Sequence, residues 1–145
     1  MPDTFNLNRF LTAQKNEYST ALQEIRNGRK RSHWMWFIFP QVLGLGQTET
    51  SRYYAIRSEE EATAYLNHLV LGQRLLEISE ALLSIKDKTA TEVLGYPDDL
   101  KLKSSMTLFS IVSDRHSIFE RVLDRYFGGE KDQKTVQILD RMKDH

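Results

Sequence analysis

The 145-residue chain contains no cysteine. That absence removes disulfides, thiolate catalysis and cysteine-ligated zinc or iron–sulfur centres. Net charge is missing too: 20 lysines and arginines balance 20 aspartates and glutamates. The balance argues against the overall basic footprint of a nucleic-acid binder and leaves only the local cluster Arg26–Arg31 for such a role. Those cations equally suit the C-terminal dipole of a preceding helix. There is no long hydrophobic run, since the longest, Trp34 to Phe39, has six residues and falls far short of a membrane span. The opening MPDTFNLNRFL lacks the charged-then-apolar layout of a signal peptide. A cytoplasmic protein of bacterial type, with no membrane partner, is the expectation. Glycine and proline are scarce, at seven and three, and neither gathers into a linker. With no internal repeat, the length suits one domain over 1–145.

What is present is ordinary for a globular protein: 40% hydrophobic and 28% charged residues. Most segments carry helical spacing. In LNRFLTAQKNEYSTALQEIRNG, Phe10, Leu11, Gln14, Tyr18, Ala21, Leu22 and Ile25 recur at three- and four-residue steps, and Gly28 stands at a left-handed cap position. Ser58 with Glu61, and Thr89 with Glu92, have capping-box spacing. In LGQRLLEISEALLSI, Leu71, Leu75, Ile78, Leu82 and Ile85 share one face. DDLKLKSSMTLFSIVS, SIFERVLDRYF and DQKTVQILDRMK follow, the last with Asp132 as its cap. The run HWMWFIF has strand-like composition, yet no second strand exists to pair its backbone. A short buried helix broken near Pro40 is the better reading. The pattern predicts an all-α, compact single-domain bundle of six or seven short helices.

RKRSHWMWFIFPQVLGLGQTETSRYYAI, EATAYLNHLVLGQRL, KLKSSMTLF and YFGGEKDQKTVQIL together resemble the DUF1810 family of small bacterial and fungal proteins. The likeness runs from Leu7 through Leu139. One departure is Leu69, where the family often has proline. The resemblance implies a mainly helical fold and little about function, because the family's role is not established. Some members carry a calpastatin label, but nothing in this sequence resembles a disordered protease inhibitor. Function has to be argued from a site.

His33 follows Arg29, Lys30 and Arg31 and precedes Trp34 and Trp36. Neighbouring cations disfavour imidazolium, so a neutral ring suited to general acid–base work is expected. The alternative is a solvated histidine at a helix start. Trp34 and Trp36 fall on different sides of a helix; both can be core, and one can edge a pocket with its N–H partnered. Gln41 offers an amide to a base or to solvent. Gly44 and Gly46, ahead of a helix expected near Thr48 that includes Ser51, could form an anion cradle or simply a tight turn. They match neither a Walker loop nor a full dinucleotide fingerprint.

On a helix, Lys101, Ser104 and Ser105 share one side, with Thr107 one turn past Lys103. Three short hydroxyl residues together suggest either close helix packing or a polar pocket wall. Lys101 or Lys103 would neutralise a phosphate or carboxylate. No nucleophile elbow accompanies the serines. His68, His116 and His145 lack the paired spacing of a helical metal site, so neither metal nor cofactor is expected.

These residues predict a pocket between HWMWFIFPQ and the KLKSSMTLF helix for a small anionic molecule, a nucleotide or ADP-ribose-like. His33 is the candidate catalytic group for hydrolase or transferase chemistry. Trp36, Gln41, Gly44, Gly46, Ser51, Lys103, Ser104, Ser105, Thr107 and Asp132 are the candidate ligand contacts. A non-catalytic helical interaction module or homodimer is the competing expectation.

Overall fold

The computed structural model describes residues 3–143. Among them the chain forms ten helices: α1 (Asn8–Gln14), α2 (Tyr18–Arg26), α3 (Met35–Ile38), α4 (Glu49–Tyr53), α5 (Glu59–Asn67), α6 (Leu71–Ser84), α7 (Ala90–Leu94), α8 (Asp98–Ile111), α9 (Ile118–Phe127) and α10 (Gln133–Lys143). The only extended pairing among the described residues is an isolated parallel bridge between Val42 and Ile56. The all-α expectation holds, with more helices than the six or seven expected. The periodic run before Gly28 divides at Lys15–Glu17, where the Glu17 amide turns back to the Gln14 carbonyl (3.1 Å). HWMWFIF is indeed a short helix, the single turn α3, ended before Pro40.

Thr48, Ser58, Thr89 and Ser117 each cap a helix by accepting from the amide three residues on, a contact worth about 1 kcal/mol apiece. Only Thr89–Glu92 closes the reciprocal box. Glu61 has the right spacing, but its carboxylate is used elsewhere. It accepts from the Arg57 amide (3.0 Å) and pairs with buried Arg9 (2.6 Å).

Arg9 organises the amino-terminal half. Its five N–H donors reach five acceptors: the carbonyls of Phe5 (2.7 Å), Asn6 (2.8 Å), Tyr53 (2.7 Å) and Ala55 (2.9 Å), and the Glu61 carboxylate. The guanidinium thereby ties α1 to the end of α4 and to α5.

Helix α8 is the axis of the core. It packs against α5, α7, α9 and α10, while α6 lies on α2, α5 and α9. A file of rings runs through this core. Tyr65 meets Phe10 edge-on (5.1 Å between centroids) and Phe109 (5.5 Å), which contacts Phe119 (5.7 Å). Such pairs add about 0.5–1.5 kcal/mol beyond their buried area. Gly72 lets α6 start hard against α5, since a Cβ there would lie 2.0 Å from the Leu66 carbonyl oxygen. Leu69, in the link between these helices, is exposed, so the departure from proline disturbs no packing. No helix among the described residues is long and apolar enough to cross a membrane.

Candidate functional site

The site begins with a carboxylate that folds a loop. Gly28, at φ 78°, turns the chain out of α2. The Lys30 amide then bonds the Val93 carbonyl (2.7 Å). Glu24, on α2, accepts from the amides of Arg31 (2.8 Å) and Ser32 (3.0 Å), the Ser32 hydroxyl (2.6 Å) and the Trp34 indole N–H (2.9 Å). Burial alone would raise the Glu24 carboxyl, but these four donors outweigh it and pull the pKa down to about 2. The result seals Trp34 in the core and leaves His33 exposed beside it. Among the described residues no side chain hydrogen-bonds the His33 ring, so no base–orienter pair is assembled there.

Beside this loop lies a hollow of about 180 Å³, whose lining includes Lys30, His33, Trp36, Thr50, Asp98 and Lys101. Asp98, at the start of α8, receives Lys30 Nζ (2.8 Å) and Lys101 Nζ (3.1 Å). Burial pushes the Asp98 carboxyl up; the two ammonium groups outweigh that and hold it below the ordinary carboxylate value. Lys101 also sits 4.3 Å from the Trp36 ring centroid, and Lys30 5.1 Å from that of Trp34. Two cations therefore share one carboxylate, leaving one positive charge uncompensated at the rim. The volume is below the roughly 300–1,000 Å³ of a drug-sized pocket, and suits a phosphate or a small sugar phosphate.

Trp36 is also a wall of a second, nearly closed cavity of about 10 Å³, lined further by Gln41, Gly44, Gly46, Ser51 and Tyr54. Five expected ligand contacts thus meet around one void. Its polar feature is Gln41, 5% exposed, whose Nε2 has no hydrogen-bond partner. An unpaired buried donor costs about 1–3 kcal/mol. The residue is held from both sides of the bridge: the Ile56 amide donates to the Gln41 carbonyl (2.8 Å) and the Leu43 amide to the Ile56 carbonyl (2.9 Å). Gly46 lies so close to its neighbours that a Cβ would stand 2.5 Å from Ser51 Oγ and 3.1 Å from Trp36 Cη2. At the helix start where an anion cradle or a tight turn is expected, the Ser51 amide and hydroxyl are engaged by the chain itself. Thr48 Oγ1 accepts from the Ser51 amide (3.1 Å), and Ser51 Oγ donates to the Thr48 carbonyl (2.8 Å).

The hydroxyl row on α8 does not reach the hollow. Ser104 Oγ contacts the Leu100 carbonyl (3.2 Å) and Asp132 (3.3 Å). Thr107 Oγ1 donates to the Lys103 carbonyl (2.8 Å) and accepts from the Asp132 amide (2.9 Å). Asp132 in turn accepts from the Thr135 amide (3.0 Å) and hydroxyl (2.6 Å), starting α10. Lys103 pairs with Glu130. Ser105 is wholly buried, its hydroxyl without a partner. Lys103, Ser104, Thr107 and Asp132 are thus gathered at the α8–α10 contact, away from His33. From α8 the hollow receives Asp98 and Lys101 instead. Sequence reasoning points to neither Asp98 nor Lys30 as a ligand contact; the three-residue spacing of Asp98 and Lys101 is the available signal. Among the described residues no three histidine, aspartate or glutamate side chains converge on a metal position.

Fold and site together define an all-α protein with a small cationic hollow opening beside a tryptophan. Residues 4–139 match the family described as protein of unknown function DUF1810, and the chain belongs to it. No curated protein matches the chain. It is similar to the crystal structure of the conserved hypothetical protein Rv1873 from Mycobacterium tuberculosis, with 46% identity over 95% of this chain and 99% of that one, at a TM-score of 0.93.

Proposed function

We propose that the protein binds a small anionic ligand, a nucleotide or ADP-ribose-like molecule, whose phosphate is held in the hollow between the HWMWFIFPQ segment and the start of α8 while the rest of the ligand lies outside it. The observation that carries this reading is the convergence of Lys30 and Lys101 on the single carboxylate of Asp98 beside Trp36. An incoming phosphate completes the charge balance there, and the indole supplies a flat apolar contact. His33, exposed at the mouth, is the candidate acid or base if hydrolysis or group transfer follows binding. Ser104 and Thr107 are engaged at the α8–α10 contact instead.

A thermal-shift screen against inorganic phosphate, nucleotides, ADP-ribose, sugar phosphates and amino acids tests the proposal, because a ligand of the folded state raises the melting temperature. Phosphorylated compounds should stabilise the protein and neutral ones should not. Lys101→Met should weaken that binding by about ten- to a hundredfold, the loss expected for a charged hydrogen bond. His33→Ala should leave the fold intact and reduce the shift or any turnover. No response to any anion removes the reading. A second reading, a non-catalytic interaction module or homodimer, draws on the exposed Tyr96 and Leu100 near the start of α8. Sedimentation as a monomer at micromolar concentration removes that one.

A further inference from the structure

The hollow holds donors and an acceptor side by side. Lys30 Nζ donates to Asp98 Oδ2 (2.8 Å) and Lys101 Nζ to Asp98 Oδ1 (3.1 Å), and all three residues line the space. Each ammonium carries three N–H donors, and among the described residues each has Asp98 as its one hydrogen-bond acceptor. The carboxylate can accept about four hydrogen bonds and receives only these two. Its side chain is 17% exposed, so it is neither sealed in the core nor free in solvent. The two lysines hold it in the ionised form.

The carboxylate therefore has a say in which anions bind. It joins the two ammonium groups, so an oxyanion that contacts both of them lies beside it. A fully deprotonated oxyanion offers Asp98 only lone pairs, and the approach is repulsive. An oxyanion that also bears a hydroxyl turns the same approach into an O–H···O⁻ hydrogen bond, one of the stronger kinds.

We infer that Asp98 recognises a hydroxyl: the hollow takes an oxyanion with an O–H beside its charged oxygens and discriminates against one that has none. This deepens, and rests on, the proposal that an anionic group binds at Lys30 and Lys101. The O–H has two chemical sources, the acid proton of a phosphate and the alcohol of a sugar attached to it. Asp98 serves either in the same way, and the choice of probes tells them apart.

Four anions compared by calorimetric titration at about pH 8, above the second phosphate pKa of about 6, are all mainly dianions. Sulfate and methyl phosphate then have no O–H, inorganic phosphate keeps an acid proton, and ribose 5-phosphate has its alcohols. A single pH also holds His33 in one state throughout. Inorganic phosphate should bind at least about tenfold more tightly than sulfate, and ribose 5-phosphate than methyl phosphate, the ratio set by one hydrogen bond to a charged group. A preference in the first pair alone assigns the acid proton as the donor, and one in the second pair alone assigns the sugar alcohol. Asp98→Asn removes the negative charge and should bring the four affinities together. A preference that survives Asp98→Asn overturns the assignment to Asp98. No preference in either pair overturns the hydroxyl requirement and leaves the anion site standing. Failure of all four to bind overturns the anion site itself, and this inference with it. If Asp98→Asn does not fold, a crystal structure of the unmodified protein with the preferred anion decides. A ligand oxygen within hydrogen-bond distance of the Asp98 carboxylate supports the assignment, and a ligand with none there overturns it.

Discussion

Arg9 and Gln41 are both buried polar residues, 7% and 5% exposed, and they stand at opposite extremes of hydrogen bonding. Each of the five guanidinium donors of Arg9 has its acceptor, four of them main-chain carbonyls. The inward donor of Gln41 has none. A fold that saturates a buried arginine has the means to saturate an amide. The difference separates a buried group whose every donor is used by the architecture from one whose donor is not. The Lys30–Asp98–Lys101 cluster stands with Gln41 in this respect, since its charges do not balance.

The largest expected effect lies on the saturated side. Arg9→Met should cost about 3–5 kcal/mol in urea unfolding, because it strips a buried carboxylate of its charged partner and several carbonyls of their donors. A loss under 1 kcal/mol would break the contrast at its stronger end. Glu24→Gln comes next, and pH sharpens it. The native Glu24 pKa, about 2, lies below the ordinary 4.5. Its contribution is therefore complete above about 4.5 and is lost as pH falls from there toward 2. The variant should be less stable at neutral pH and lose less on acidification across that window, as read by urea midpoints at several pH values. The smallest effect belongs to Gln41→Met, which removes an unpaired donor. It should be neutral or stabilising within about 1 kcal/mol, and a loss of several would assign Gln41 to the architecture.

Local rules were legible where no distant partner competed. Thr89 and Glu92 form the box their spacing announced. Ser58 and Glu61 carry the same spacing and form half of it, because an arginine 52 positions away claims the glutamate. Burial of α8 from Ser104 through Ser110 explains the hydroxyl row. That part of the helix, enclosed by its neighbours, has no solvent-facing side to read, so its small polar residues lie in helix contacts. The short turns α3 and α4 lie below the length at which periodicity identifies a helix, although Pro40 and Thr48 marked their limits. On the site side, the cluster of Trp36, Gln41, Gly44, Gly46 and Ser51 could be assembled from one contiguous stretch of sequence. Its partner surface on α8 could not, since the choice between Lys101 and Lys103 depends on how that helix is rotated in the core.

Trp34 and Trp36, two residues apart, are the chain's entire complement of that amino acid. One is locked in the interior with its indole N–H on Glu24, and the other is half-open beneath an ammonium group. Ultraviolet excitation therefore addresses two chromophores of opposite character within a single turn. The inner one is shielded from solvent, and the outer one responds to any movement of Lys101.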